Sequence, residues 1–289
     1  RWDVKFLNKY HRKMKSLIFG TAGTPLSSAG RDSIQGIKRV HELGLGCMEL
    51  EFVRGVRMGA DTAKNVRKQK ETQGIHLSVH APYYLNLNSN EQKKIIASIE
   101  RIYQSAYIGS LAGANNIVFH PAYYLKSPAD SVYMQVIKKM ELLIERLNQE
   151  NIDVTLRPET TGKQSQFGTL EEVLRLSSEL EGVKPCIDFA HLHARNGMNN
   201  NYNEFVEILE MVENVLGTDG LKNMHIHVSG IEYGAKGEIK HLTLNESDFN
   251  YKDMLKSFKD YNVKGTIVCE SPNLEIDAKK MKEQYQLGG

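Results

Sequence analysis

The stretch CIDFAHLHA, residues 186–194, begins as an apolar run and then presents Asp188, His191 and His193 within six residues. Carboxylates and imidazoles are costly to desolvate unless something binds them. The pattern recurs along the chain. The run HLSVHA reaches His80, NIVFHP reaches His120, DVTLRPE ends at Glu159, NMHIHVS carries His225 and GTIVCES reaches Glu270. His241, with Glu238 shortly before it, follows the NMHIHVS run. Taken singly, each has an ordinary structural explanation: a rim histidine bonded to a carbonyl, a glutamate entering a helix, an aspartate holding a turn. Their placement at corresponding positions of successive runs points to one shared cause, a bound cation. Imidazoles and carboxylates without cysteine suit zinc, with manganese or iron also compatible, whereas calcium and magnesium prefer oxygen shells. These ligands outnumber what a single ion needs, so two or three ions must share them. Closely spaced metals that clamp attacking and leaving oxygens are suited to phosphoester hydrolysis.

The elements that must position these groups follow from the same runs. Eight strand-like segments are legible: 16–22, 47–52, 76–81, 116–121, 153–159, 184–190, 223–229 and 265–271. Between them lie stretches with helical periodicity, clearest at 89–113 and 130–149. Thr169 to Glu172 reads as a capping box, and Ser127-Pro128 as an N-cap followed by proline at the first helical position. Eight strands alternating with eight helices in about 250 residues is the arithmetic of an α/β (β/α)8 TIM barrel, whose active sites form where the C-terminal strand ends converge. No linker or low-complexity stretch divides the chain, so residues 14–289 read as one domain. Residues 1–13 read as an extension outside the fold or a cloning-derived leader.

Composition narrows the function classes. The 289 residues are 40% hydrophobic and 25% charged, with a formal net charge of only +2. Such a chain exerts no strong global field on nucleic acid, so any DNA site must be a local one. The three cysteines, Cys47, Cys186 and Cys269, sit in apolar runs and suit reduced core thiols. No apolar stretch reaches the roughly 18 residues that span a bilayer, and no signal-peptide pattern opens the chain. The expectation is a cytoplasmic protein with no membrane partner.

The segments SVHAPYYLNL, VFHPAYY, RPETTGKQSQFG, CIDFAHLHA, MHIHVSG, KHL and VCESPN occur in the order and approximate spacing of the endonuclease IV family, which this chain resembles over residues 16–285. That family comprises zinc-dependent apurinic/apyrimidinic endonucleases of base excision repair, and its wider relatives are sugar isomerases and epimerases on the same barrel. The resemblance implies two to three zinc ions. His80, His120 and Glu159 match the ligands of the first; Glu159, Asp188, His225 and Glu270 those of the second; His191 and His241 those of the third. Glu159 then bridges two metals that hold the hydroxide nucleophile. The implied reaction is hydrolysis 5′ to an abasic site in double-stranded DNA, leaving a 3′-hydroxyl and a 5′-deoxyribose phosphate, by a monomer of prokaryotic cytoplasmic type. Tyr83 matches a residue that stacks on the opened duplex, Arg54 and Arg57 are candidates for insertion or phosphate contact, and Lys163 and Gln164 for reaching phosphate. Two positions depart from the family: His227 stands where an amide is usual, and Ile239 stands where the third metal's carboxylate is usual, with Glu238 beside it as the substitute. His76 and His193 read as structural groups. The alternative is a sugar isomerase or epimerase working with one divalent ion and paired carboxylates; a barrel that binds without turnover is a third.

Overall fold

The computed structural model describes residues 14–287. In chain order the elements are β1 Leu17–Ala22, α1 Ser33–Glu42, β2 Cys47–Glu51, α2 Ala60–Gln73, β3 His76–His80, α3 Gln92–Leu111, β4 Asn116–Phe119, β5 Ala122–Tyr123, α4 Ala129–Gln149, β6 Thr155–Pro158, β7 Gln166–Phe167, α5 Leu170–Glu179, β8 Cys186–Asp188, α6 Phe189–Asn196, α7 Tyr202–Leu216, α8 Thr218–Leu221, β9 Met224–Val228, β10 Gly230–Gly234, β11 Gly237–Leu242, α9 Tyr251–Asp260, β12 Gly265–Cys269 and α10 Glu275–Leu287. All eight strand-like runs of the sequence are strands. Residues 1–13 lie outside the described part.

Eight strands form one parallel sheet in the order β6-β4-β3-β2-β1-β12-β9-β8. Its two edges, β6 and β8, meet through single parallel bridges, Leu156 with Val183 and Glu159 with Cys186. The chain is therefore a nearly closed (β/α)8 barrel, as the alternation of elements predicts. The helices wrap it with apolar stripes: α4 buries Val132, Val136, Met140, Leu143 and Leu147, spaced three or four apart so that they fall on one face. Each such side chain contributes roughly 1.5–3 kcal/mol on leaving water.

Local signals explain most boundaries. Thr169 caps α5 in the reciprocal arrangement expected, accepting from the Glu172 amide at 3.2 Å while Glu172 accepts from the Thr169 amide at 2.9 Å. The start of α4 differs by one residue from the sequence expectation. Pro128 itself occupies the cap and has no polar side chain to bond there, while the Ser127 amide closes a turn onto the Tyr124 carbonyl.

Two short antiparallel additions ride on the C-terminal side of the barrel. One pairs β5 with β7; the other is the β10–β11 hairpin. Gly237, at φ +96, lets the hairpin press on the loop after β6, since a Cβ there would lie 2.1 Å from the Gly162 carbonyl oxygen. The three cysteines are all buried and free. Among the described residues no helix is long and apolar enough to cross a membrane.

Candidate metal centre at the C-terminal mouth

Asp188 shows how the strand ends become ligands. It ends β8 and is also the N-cap of α6, where one carboxylate oxygen, Oδ1, accepts from the His191 amide at 2.7 Å. The Asp-x-x-His spacing is thus the spacing of a helix cap, which sets His191 in the first turn. The second oxygen, Oδ2, is buried without a hydrogen-bond partner and faces the barrel mouth.

Tautomers are set by main-chain carbonyls. The Nδ1 atoms of His80, His191 and His241 lie 2.7, 3.0 and 3.2 Å from the carbonyls of Ala81, Thr160 and Glu270. A ring that donates from Nδ1 keeps the Nε2 lone pair free to bind a cation. His80 Nε2 and His120 Nε2 each stand 3.1 Å from Glu159 Oε2. His191 Nε2 and His241 Nε2 converge on Glu238, at 3.5 and 3.7 Å. His227 Nδ1 lies 3.4 Å from Glu159 Oε1 and 3.5 Å from Glu270 Oε1.

These contacts resolve into three sets at the mouth, each with potential ligand atoms within 4.8 Å of one another: His80, His120 and Glu159; Glu159, Asp188, His227 and Glu270; His191, Glu238 and His241. Glu159 belongs to two of them. Glu159 Oε1, Asp188 Oδ2, Glu270 Oε2 and His227 Nδ1 are all buried and make no hydrogen bond among the described residues. Buried carboxylates and imidazole lone pairs aimed at one point repel unless a positive charge joins them, so the donor set fits a divalent cation. A fourth set, Cys186 with His225 and His227, lies one layer deeper, and burial pushes the Cys186 thiol far above its ordinary range.

The electrostatics show the same strain. Burial pushes Glu159 up, but the imidazoles of His120 and His227 outweigh it and hold the carboxyl well below its usual range. Burial raises Asp188 to about 6, against the pull of His191 and with Glu270 and Glu159 adding repulsion. For His80 burial lowers the ring, yet the Glu159 hydrogen bond and charge carry it up to about 9.

The ligand assigned to the seventh barrel strand is corrected here. His225 is not at the mouth: its Nε2 bonds Glu49 Oε2 at 2.9 Å and its Nδ1 meets the Thr266 hydroxyl at 2.8 Å, one layer down inside the barrel. The register gives the reason. His225 pairs alongside Cys186, whereas His227 pairs alongside Asp188, and side chains on the same face of a strand recur every two residues. His227 is the imidazole level with the carboxylates. Glu238 does stand with His191 and His241, while Ile239 is 59% exposed and points away from any ligand role.

Other candidates lie around this centre. Tyr83 packs edge-on against His80 with ring centroids 5.1 Å apart and is half exposed. Arg54 and Arg57 are exposed on the loop that leaves the C-terminal end of β2 and make no hydrogen bond or ion pair among the described residues. Lys163 lines the mouth cavity of about 370 Å³, together with Tyr83, Tyr123 and the histidines. Its carbonyl is gripped by Arg195 at 2.8 Å. Gln164 is not available in the same way, because its amide donates to the Arg195 and Ala235 carbonyls. His193 is buried between Met198 and Asp248, and His76 is exposed at the opposite end of β3.

Two carboxylates of β2 escaped the sequence reading. Glu49 is fully buried against His225 and His227, and Glu51 ends its strand beside His80. Burial raises Glu51 to about 8, opposed by His80 and reinforced by Glu49 and Glu270. The alternation in CMELE, with carboxylates two apart at a strand end, was the available signal.

A family model described as a xylose isomerase-like TIM barrel matches residues 37–287. The chain belongs to this family. Within it, the chain is 49% identical over 270 residues to an uncharacterized protein of Methanocaldococcus jannaschii, covering 93% of this chain and 97% of that one. It is 25% identical over 222 residues to a probable endonuclease 4 of Mycoplasma pneumoniae, 75% of each chain. Among solved members of the xylose isomerase-like fold, a D-tagatose 3-epimerase-like protein superposes with a TM-score of 0.69 at 18% identity, covering 89% of this chain and 94% of that one. Endonuclease IV from Thermus thermophilus superposes with a TM-score of 0.69 at 17% identity, covering 93% and 100%. At such identities these two structures speak for the fold alone.

Proposed function

We propose that this protein is a metal-dependent endonuclease of the endonuclease IV type, a hydrolase that cuts double-stranded DNA 5′ to abasic sites as a monomer. The observation that carries the reading is the gathering of three ligand sets around one mouth, two of them sharing Glu159. A single-ion sugar isomerase or epimerase needs the Glu159, Asp188, His227 and Glu270 set and has no use for His80, His120, His191 and His241 as well. The imidazole-rich donor set favours zinc, with manganese or iron compatible. Bound there, such ions supply Lewis acidity and lower the pKa of water.

The protein's own groups account for the rest. Glu159 offers one oxygen to each of two sets and so fixes their spacing. Asp188 divides its oxygens between the α6 cap and the mouth, which prevents the ligand from swinging away. Tyr83 offers a half-exposed ring face at the rim for an unstacked nucleotide, and Lys163 offers an ammonium for an adjacent phosphate. Arg54 and Arg57 extend that basic edge along the β2 loop.

Elemental analysis of the purified protein, run beside incision of a duplex carrying one abasic-site analogue, tests the proposal. Two to three ions per chain with cleavage 5′ to the lesion is the expected result. One ion, no cleavage and turnover of ketoses would replace it with the epimerase reading.

A further inference from the structure

Barrel interiors are ordinarily filled by branched apolar side chains. In this barrel the layer beneath the mouth instead holds Glu49, Ser78, His225 and Thr266. Glu49 has no solvent exposure. A buried carboxylate costs several kcal/mol unless its oxygens are engaged, so its partners define what it is for.

The partners form a directed chain. The Ser78 hydroxyl donates to Glu49 Oε2 at 2.6 Å, and His225 Nε2 donates to the same oxygen at 2.9 Å. With its Nε2 proton committed, His225 receives the Thr266 hydroxyl at Nδ1, 2.8 Å away. Glu49 Oε1 is left for His227 Nε2, also at 2.9 Å. That last approach is short but imperfectly aligned as a hydrogen bond, and both atoms are buried with no other partner among the described residues. Once His227 donates from Nε2, its Nδ1 lone pair is turned toward Glu159 Oε1 and Glu270 Oε1.

We propose that Glu49 is a positioning residue that holds His227 in the tautomer and orientation needed to ligate through Nδ1, setting the affinity of the Glu159–Asp188–His227–Glu270 set for a divalent cation. The inference rests on the metal-binding part of the function proposed above and not on its substrate. His227 thereby differs from His80, His191 and His241, whose main-chain partners leave Nε2 as the ligating atom. Glu49 belongs to none of the ligand sets, because it lies on the far side of the His227 ring from the mouth. A carboxylate behind a ligating imidazole raises its basicity and fixes its ring, and removing such a partner typically weakens metal binding about 10–100-fold.

The test compares wild type with Glu49→Gln by competitive titration with cobalt(II), visible absorption of the loaded forms, and thermal unfolding of the metal-free forms. One ion per chain should bind roughly 10–100-fold more weakly in the variant, with a changed absorption band and the remaining ions unaffected. Unchanged affinities and an unchanged spectrum would overturn the proposal. Should the variant fail to fold, the wild type still decides it: in cadmium-loaded, nitrogen-15-labelled protein the metal should couple to His227 through Nδ1 and to His80 through Nε2. Coupling of His227 through Nε2 would sink the idea. Neither readout is catalytic, so failure of abasic-site incision leaves both outcomes interpretable.

Discussion

Asp188 and His227 lie side by side in the β8–β9 register, and both direct an unpaired ligand atom into the mouth. His225, two residues earlier, lies beside Cys186 instead. On the proposed metal-dependent endonuclease reading, His227→Ala should therefore release one ion per chain and abolish incision. His225→Ala should keep the full metal complement, with any loss confined to affinity. Metal analysis of the two variants separates them, and equal metal loss in both would contradict the layer assignment.

Lys163 presents an exposed ammonium at the mouth while Arg195 grips its carbonyl. On the DNA reading, Lys163→Met should weaken duplex binding similarly for every sequence and reduce the slope of log affinity against log salt by about 1. Metal content should not change. Binding measured across a salt series checks this, and an unaltered slope would remove Lys163 from the phosphate contacts.

Glu275, at the start of α10, accepts from the Leu26 and Ser27 amides at 2.9 and 2.7 Å, tying the first mouth loop to the last helix. Burial pushes its carboxyl up, but hydrogen bonds from its own amide and those of Leu26 and Ser27 outweigh it and hold it below the usual range. A depressed folded pKa contributes stability above the unfolded value, about 4.3, and that contribution is lost as pH falls through the folded pKa. Glu275→Gln should therefore cost about 1–2 kcal/mol at pH 7. The gap in melting temperature to wild type should narrow in acid; a gap that widens below pH 4 would refute the linkage.

Arg157 is 1% exposed in the barrel floor, where its guanidinium donates to Asn116 Oδ1, the Pro185 carbonyl and the Asn223 carbonyl at 2.7, 3.0 and 3.1 Å. Burial lowers it to about 10, still protonated at neutral pH. Arg157→Ala strands three acceptors and opens a cavity, so denaturant unfolding should register a loss of about 3 kcal/mol. Arg157→Lys should recover little of it, since an ammonium lacks the planar fork that reaches three directions.

The barrel was legible because its evidence is periodic. Eight apolar runs and the helical stripe of 130–149 report on burial directly, and the Thr169–Glu172 capping box is a local signature that needs no tertiary context. Most of the mouth was legible for a related reason, since a ligand at a strand end must interrupt an apolar run. What the sequence left open was depth. MHIHVSG offers two imidazoles on one strand face, and only the offset of β9 against β8 decides which stands level with Asp188. Glu49 was hidden because the partners that justify its burial come from β3 and β9, far away in the chain. At α4 the helix starts one residue later than the Ser127-Pro128 pattern suggests, with Pro128 as the cap and its carbonyl accepting from the Val132 amide.

The barrel's edges β6 and β8 are joined by single bridges, one of them between Glu159 and Cys186, and the two strands supply Glu159 and Asp188 to the same ligand set. A cation gripped by both would straddle the seam and rivet it shut. Loading the centre would then add a cross-link to a seam that main-chain bonds already close. The amides beside the seam, Thr160 bonded to Cys186 and Asp188 bonded to Thr160 Oγ1, would exchange their protons more slowly in the riveted form than in the ion-free one.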